Sequence, residues 1–253
     1  MMRRGGAHAG VCTVLAAVLS ASAIVACNGQ SAKNAGDSFP LVEVPADSGH
    51  TMALFLTGDG GWASGDRALA ETLARGGVSV VGVDSRAYLR SARRTPESAA
   101  ADAARIVDEY AARWHRDRLI LVGYSRGADM APFIVTRLPD ELRNRLSLVA
   151  MIGLAERASF EFHWADMVLN TKRSTDYPVA PEVMKVQGVR MLCLYGAREK
   201  DSLCPTFPPS VLHAEQHDGK HALSGSDGVA VAQRILREID GGEAEHRTAP
   251  PQS

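Results

Sequence analysis

Leu119-Ile120-Leu121-Val122-Gly123-Tyr124-Ser125-Arg126-Gly127 is an apolar run that breaks into a G-x-S-x-G string, and a helix-like stretch from Ala128 to Leu138 follows it. A strand that turns sharply into a helix around such a string is a nucleophile elbow. The turn is tight, so the residues flanking the serine must be small, which explains the two glycines. The geometry lifts the serine hydroxyl off the sheet edge and sets it at a helix N-terminus, where the helix dipole favours a developing oxyanion.

Outward from the elbow, apolar runs alternate with helical periods. Strands are expected at Leu41–Val44, Met52–Leu56, Val78–Val83, Leu119–Val122, Leu146–Ile152, Val189–Tyr195 and Val211–Glu215. Helices are expected at Asp66–Arg75, Pro96–His115, Ala128–Leu138 and Gly228–Ile239. Thr95 is placed to cap the second helix and Pro96 to occupy its first position. This alternation predicts an α/β architecture, a mostly parallel sheet with helices on both faces. With the elbow, it predicts the α/β-hydrolase fold. Ala155 to Lys185 breaks the rhythm and is expected to form a small cap insertion over the site.

A serine hydroxyl needs an adjacent base to act as a nucleophile. In this fold the order along the chain is Ser, Asp/Glu, His. Ser125 is followed by the strand ending at Tyr195 and by Gly196-Ala197-Arg198-Glu199-Lys200-Asp201, from which Asp201 is the first choice of acid and Glu199 the second. His217 and His221 follow the next strand, and His221 is preferred as base because it lies deeper in the loop before the last helix. The oxyanion hole requires two backbone N–H groups. One is expected from Arg126 and the other from the Gly58-Asp59 part of Thr57-Gly58-Asp59-Gly60-Gly61-Trp62. No Gly-Lys-Ser/Thr follows those glycines, so they are not a phosphate-binding loop.

Around this centre, Trp62, Arg86 and Asp129 are candidate substrate contacts. Arg86, Arg90, Arg93 and Arg94 cluster as a candidate phosphate or anionic-lipid surface, and Asp59 or Asp129 as partners for an ammonium. No cofactor, metal or nucleic-acid partner is expected.

Arg3 and Arg4 precede the apolar stretch Val11–Ala26, which is too short to span a bilayer and reads as an export signal over 1–26. Ala21-Ser22-Ala23 and Ile24-Val25-Ala26-Cys27 are competing cleavage sites, the second resembling a lipobox that would lipidate Cys27. Residues 27–40 read as a polar tether, 41–240 as the hydrolase domain and 241–253 as a disordered tail. With Arg3 and Arg4 removed from the 28 basic residues, 26 remain against 29 acidic ones, a net charge of −3. Cys12 lies in the signal and Cys27 at the lipobox. In an exported chain the remaining pair, Cys193 and Cys204, reads as a disulfide.

Five segments together resemble the VirJ/AcvB family of bacterial periplasmic proteins. They are Thr57–Trp62, Asp84-Ser85 through Arg94-Thr95-Pro96-Glu97, Gly123–Asp129, Phe160-Glu161-Phe162-His163 and Asp201-Ser202-Leu203-Cys204-Pro205. The resemblance covers Leu41 to Ile239. It implies an α/β-hydrolase fold, a nucleophile at Ser125 and a histidine at His221. It also implies hydrolysis of the aminoacyl ester of aminoacylated phosphatidylglycerol, usually the lysyl form. The function expected is this hydrolysis of the lysyl or alanyl form, with the candidate lipid anchor at Cys27 bringing the protein to a membrane surface. The alternatives are a generic exported esterase and a non-catalytic hydrolase-fold protein acting in virulence or type IV secretion.

Overall fold

The computed structural model describes residues 39–162 and 175–248, the last six of these by their backbone alone. The export signal, Cys27, most of the tether, His163, Trp164 and residues 249–253 lie outside the described residues.

Seven strands form one sheet in the order β1-β3-β2-β4-β5-β8-β9. They are β1 (Leu41–Val44), β2 (Thr51–Leu56), β3 (Val78–Val83), β4 (Arg118–Tyr124), β5 (Leu146–Ile152), β8 (Arg190–Gly196) and β9 (His213–His217). Strand β1 runs antiparallel to β3 at the edge, and the other pairs are parallel. A separate two-stranded ribbon pairs β6 (Arg157–Ala158) with β7 (Tyr177–Pro178).

The side-chain alternation of the strands divides the core in two. Met52, Leu54 and Leu56 of β2 point to one face, with Leu119 and Leu121 of β4 and Val149 and Met151 of β5. That face is covered by α2 (Ser85–Ser91), α3 (Pro96–Trp114) and α4 (Arg126–Val135). Ala53 and Phe55, Ile120 and Val122, and Leu148, Ala150 and Ile152 point the other way, against α1 (Ser64–Arg75) and α7 (Gly225–Thr248). All six residues of β2 and all six of β3 are buried. Burial on both faces is why these central strands read as continuous apolar runs rather than alternating ones. Each fully buried large side chain, such as Phe55 or Leu69, contributes roughly 1.5–3 kcal/mol of transfer free energy.

Helix α3 begins as its sequence predicts. Thr95 Oγ1 accepts from Ser98 N at 3.2 Å, Ser98 Oγ accepts from Thr95 N at 2.9 Å, and Pro96 opens the helix. Three short helices, α2, α5 (Asp140–Arg145) and α6 (Ala180–Val183), were not expected from the sequence. Helix α2 is rich in arginine and lies where a loop is expected, but Asp84 caps it by accepting from Ala87 N at 2.9 Å. At the other end, α7 continues to Thr248, so the chain is helical beyond Gly241, where a disordered tail is expected. Glu243, Ala244 and Glu245 favour helix, and the first strong breaker is Pro250. The described part of the cap insertion consists of the β6–β7 ribbon and α6, anchored by the mutual edge contacts of Phe133, Phe160 and Tyr177.

Candidate active site

Ser125 stands between the end of β4 and the start of α4 with φ +53° and ψ −120°, a conformation that non-glycine residues adopt rarely. The surroundings force it. A Cβ on Gly123 would lie 2.4 Å from Gly127 O, and one on Gly127 would lie 2.1 Å from Leu56 O. Ser125 N donates to Ile152 O at 2.8 Å, which fixes the turn to the neighbouring strand.

The serine hydroxyl is 2.8 Å from His221 Nε2, and His221 Nδ1 is 2.6 Å from Glu199 Oε1. The carboxylate on His221 is therefore Glu199, and Asp201, the first choice from the sequence, is exposed and two residues further along. The reason is a closed turn at the end of β8. Glu199 N donates to Gly196 O at 2.9 Å while Gly196 N donates to Glu199 Oε2 at 3.1 Å. This turn points the longer Glu side chain inward, and the chain has left the site by position 201. Below the ring, Gly153 at the end of β5 leaves room, since a Cβ there would come within 2.8 Å of the imidazole.

His221 is held from the Ser125 side as well. Tyr124 donates its hydroxyl to His221 O at 3.0 Å and accepts from Leu223 N at 3.1 Å. His217, the other histidine considered, is buried at the end of β9, where its carbonyl accepts from Ala197 N.

The hydrogen bond to Glu199 is the main influence on His221 and raises its pKa above the ordinary histidine value. Burial acts against this, while the charges of Glu199, Asp129 and Asp59 add to it. Burial alone would raise the Glu199 pKa. The hydrogen bonds from His221 and Gly196 N outweigh burial and hold the carboxyl below its usual range. The pair therefore favours an ionised glutamate facing an Nδ1–H.

Two loops converge on the serine. Gly58 is close enough that a Cβ on it would sit 3.0 Å from Ser125 Cβ, so the Gly58-Asp59 segment borders Ser125. Arg126, immediately after the serine, opens α4. These are the segments from which the oxyanion donors are expected. Thr57 is buried behind them, with Oγ1 accepting from Ser85 N at 3.0 Å.

The candidate substrate contacts fare differently. Trp62 packs on Phe55 and over Gly82, against the sheet, so it belongs to the core rather than to the pocket. Arg86 lies in the first turn of α2, and no contact described brings it to Ser125, His221 or Glu199. Arg90 stacks over Phe162, Arg93 pairs with Glu161 at 2.8 Å, and Arg94 pairs with Asp102 at 3.2 Å and stacks over Tyr88. The arginine cluster therefore ties α2 and the loop after it to α3 and to the cap segment. Asp129 is buried in the first turn of α4, and its Oδ1 accepts from Ala155 N at 2.7 Å. Burial raises its pKa to about 7 against that hydrogen bond and the charges of Arg126 and His221. Asp59 is gripped by the Arg126 guanidinium. Phe160 is buried between Phe133 and Tyr177. The Cys193 and Cys204 sulfurs are bonded, closing a loop around Glu199.

Residues 50–243 match the family described as bacterial virulence protein (VirJ). The chain belongs to the VirJ family. No curated protein matches it in sequence. Among solved structures, this VirJ-family chain resembles proline iminopeptidase from Mycobacterium smegmatis with a TM-score of 0.58 at 13% identity, covering 81% of this chain and 95% of that one. It resembles TT1662 from Thermus thermophilus with a TM-score of 0.54 at 18% identity, covering 83% and 95%. It also resembles Est1E from Butyrivibrio proteoclasticus with a TM-score of 0.54 at 15% identity, covering 79% and 93%. At these identities the likeness concerns the fold, which is the α/β-hydrolase fold.

Proposed function

We propose that this VirJ-family protein is an exported serine esterase that hydrolyses the aminoacyl ester of aminoacylated phosphatidylglycerol. The observation that carries the reading is the continuous chain from Ser125 Oγ through the His221 ring to Glu199, set on a strained elbow. A core-packing serine and histidine would require neither the positive φ nor the order serine, imidazole, carboxylate.

In the mechanism, neutral His221 takes the Ser125 proton at Nε2 as Oγ attacks the ester carbonyl. The carbonyl oxygen becomes an oxyanion beside the N–H groups of Arg126 and the Gly58-Asp59 loop. Collapse breaks the ester bond, and His221 returns the proton to the departing glycerol oxygen. Water, deprotonated by His221, then cleaves the aminoacyl-Ser125 ester and regenerates the hydroxyl. Glu199 stays ionised throughout and keeps the proton of the resting ring on Nδ1.

Membership of the VirJ family is what supports the aminoacyl substrate. Asp59, 30% exposed although paired with Arg126, is the carboxylate nearer to solvent, whereas Asp129 is buried and bonded to Ala155 N. Export by residues 1–26 and a lipid anchor at Cys27 belong to the same reading, and would hold the enzyme at the membrane where this lipid resides. Changing Cys27→Ser should move the protein from the membrane to the soluble periplasmic fraction.

The test presents lysyl- and alanyl-phosphatidylglycerol vesicles beside a short-chain nitrophenyl ester. Free amino acid should appear with the parent and stop with Ser125→Ala, a loss on the order of 10⁶ in turnover. Cleavage of the nitrophenyl ester alone would leave a generic exported esterase. Absence of any turnover and of fluorophosphonate labelling would leave a non-catalytic role in virulence or secretion.

A further inference from the structure

The Arg126 guanidinium does something that neither its backbone position nor the triad requires. Its side chain is 8% exposed, in a place where an arginine must be paired to be tolerated. Nε donates to Asp59 Oδ1, Nη2 donates to Asp59 Oδ2 at 3.0 Å, and Nη1 donates to Ser159 O at 3.2 Å. The two bonds to Asp59 form the bidentate fork that fixes orientation as well as distance. One residue therefore begins helix α4 beside the nucleophile, grips the loop after β2 and reaches the cap segment at Ser159.

We infer that the Arg126 side chain is a positioning residue that locks the two halves of the oxyanion hole to each other through Asp59. This rests on the hydrolase reading above. The two donors of an oxyanion hole must converge within a few tenths of an ångström on an oxygen that exists only during reaction. Here they come from segments 67 positions apart, one on a helix and one on a glycine-rich loop. Within that loop the described backbone bond is local, Gly61 N to Gly58 O at 3.1 Å. Its tie to the elbow at residue 59 is the guanidinium fork. Lysine keeps the charge but supplies a point donor that cannot hold both carboxylate oxygens in plane. The same pairing offsets the Asp59 charge beside the forming oxyanion, which an unpaired carboxylate would oppose.

The experiment measures Arg126→Lys, Asp59→Asn and the double variant with a short-chain nitrophenyl ester, so that it is independent of the lipid substrate. Two readouts are taken, steady-state kinetics and hydrogen–deuterium exchange over residues 58–61. The expected result is a kcat reduced about 100-fold with little change in KM, as for a lost oxyanion donor. Exchange at 58–61 should quicken, and the double variant should be no worse than the poorer single one. Unchanged exchange at 58–61 overturns the inference. So does a KM increase at constant kcat, which would make Arg126 a substrate contact, and so does a kcat loss that only follows a fall in melting temperature. Should Arg126→Lys fail to fold, the isosteric Asp59→Asn carries the same readouts. A parent protein that neither turns over the ester nor takes a fluorophosphonate label overturns the hydrolase reading and the oxyanion role with it, before any variant is compared.

Discussion

The elbow at residues 123–127 and the acid loop at residues 196–204 serve one hydrogen-bonded chain, yet they are constrained in different ways. At the elbow the constraint is backbone against backbone. Gly127 meets Leu56 O and Gly123 meets Gly127 O, so residue type follows directly from local sterics. At the acid loop the constraint is reach. A carboxylate must arrive at His221 Nδ1, and both Glu199 and Asp201 are carboxylates on the right loop. Their roles are divided by the Gly196–Glu199 turn, a short-range hydrogen-bond pattern with no residue signature of its own. The comparison teaches that steric sites can be read from sequence patterns, whereas sites defined by reach need the path of the chain.

The largest test of this contrast compares Glu199→Gln with Asp201→Asn. Glu199→Gln should lower kcat about 10⁴-fold, because an amide cannot accept from Nδ1–H in the same way and favours the wrong tautomer. Asp201→Asn should stay near the parent. Equal losses would mean that the acid loop is less defined than the Gly196–Glu199 turn implies.

A smaller effect is expected from the disulfide. Cys193–Cys204 brackets Glu199 with a separation of 11 residues. Replacing both cysteines by serine should cost about 2–3 kcal/mol of stability, read by denaturant unfolding. It should also loosen the acid loop while leaving the elbow in place. Loss of elbow structure in the double variant would show that the two regions are not separable.

The smallest effect sharpens the electrostatics. His221 must be neutral to act as base, and its pKa is raised, chiefly by Glu199. Activity should therefore rise with pH along a limb whose midpoint lies above about 6.5. Below it the ring is protonated and the nucleophile idle. In Glu199→Gln the His221 titration, followed by ring NMR signals, should move to lower pH because the main stabiliser of the imidazolium is gone. An unchanged titration would assign the dominant charge to Asp129 or Asp59 instead.

The same contrast governs what could be read before the fold was known. Strands β3 and β5 fall where their apolar runs end, because strands buried on both faces carry an unbroken signal. Ser125, His221 and the cysteine pair followed from local context and from chain order. Helix α2 escaped because the arginines on it and just after it look solvated, although Arg90 stacks over Phe162, Arg93 pairs with Glu161, and Arg94 holds Asp102 and Tyr88. Trp62 is a candidate substrate contact in the sequence, and its packing on Phe55 and over Gly82 shows that it faces the sheet. The Asp59–Arg126 pair lay in plain view as two charges, but nothing local joins positions 67 apart.

Tyr124 sits next to Ser125, and its hydroxyl binds both His221 O and Leu223 N. In a surveyor's terms, His221 is measured from the serine's own neighbour rather than across β5, β8 and β9. Errors accumulated along that longer route do not enter the Ser125–His221 spacing. A sheet that breathes can then carry both groups together, keeping their separation while the strands between them shift.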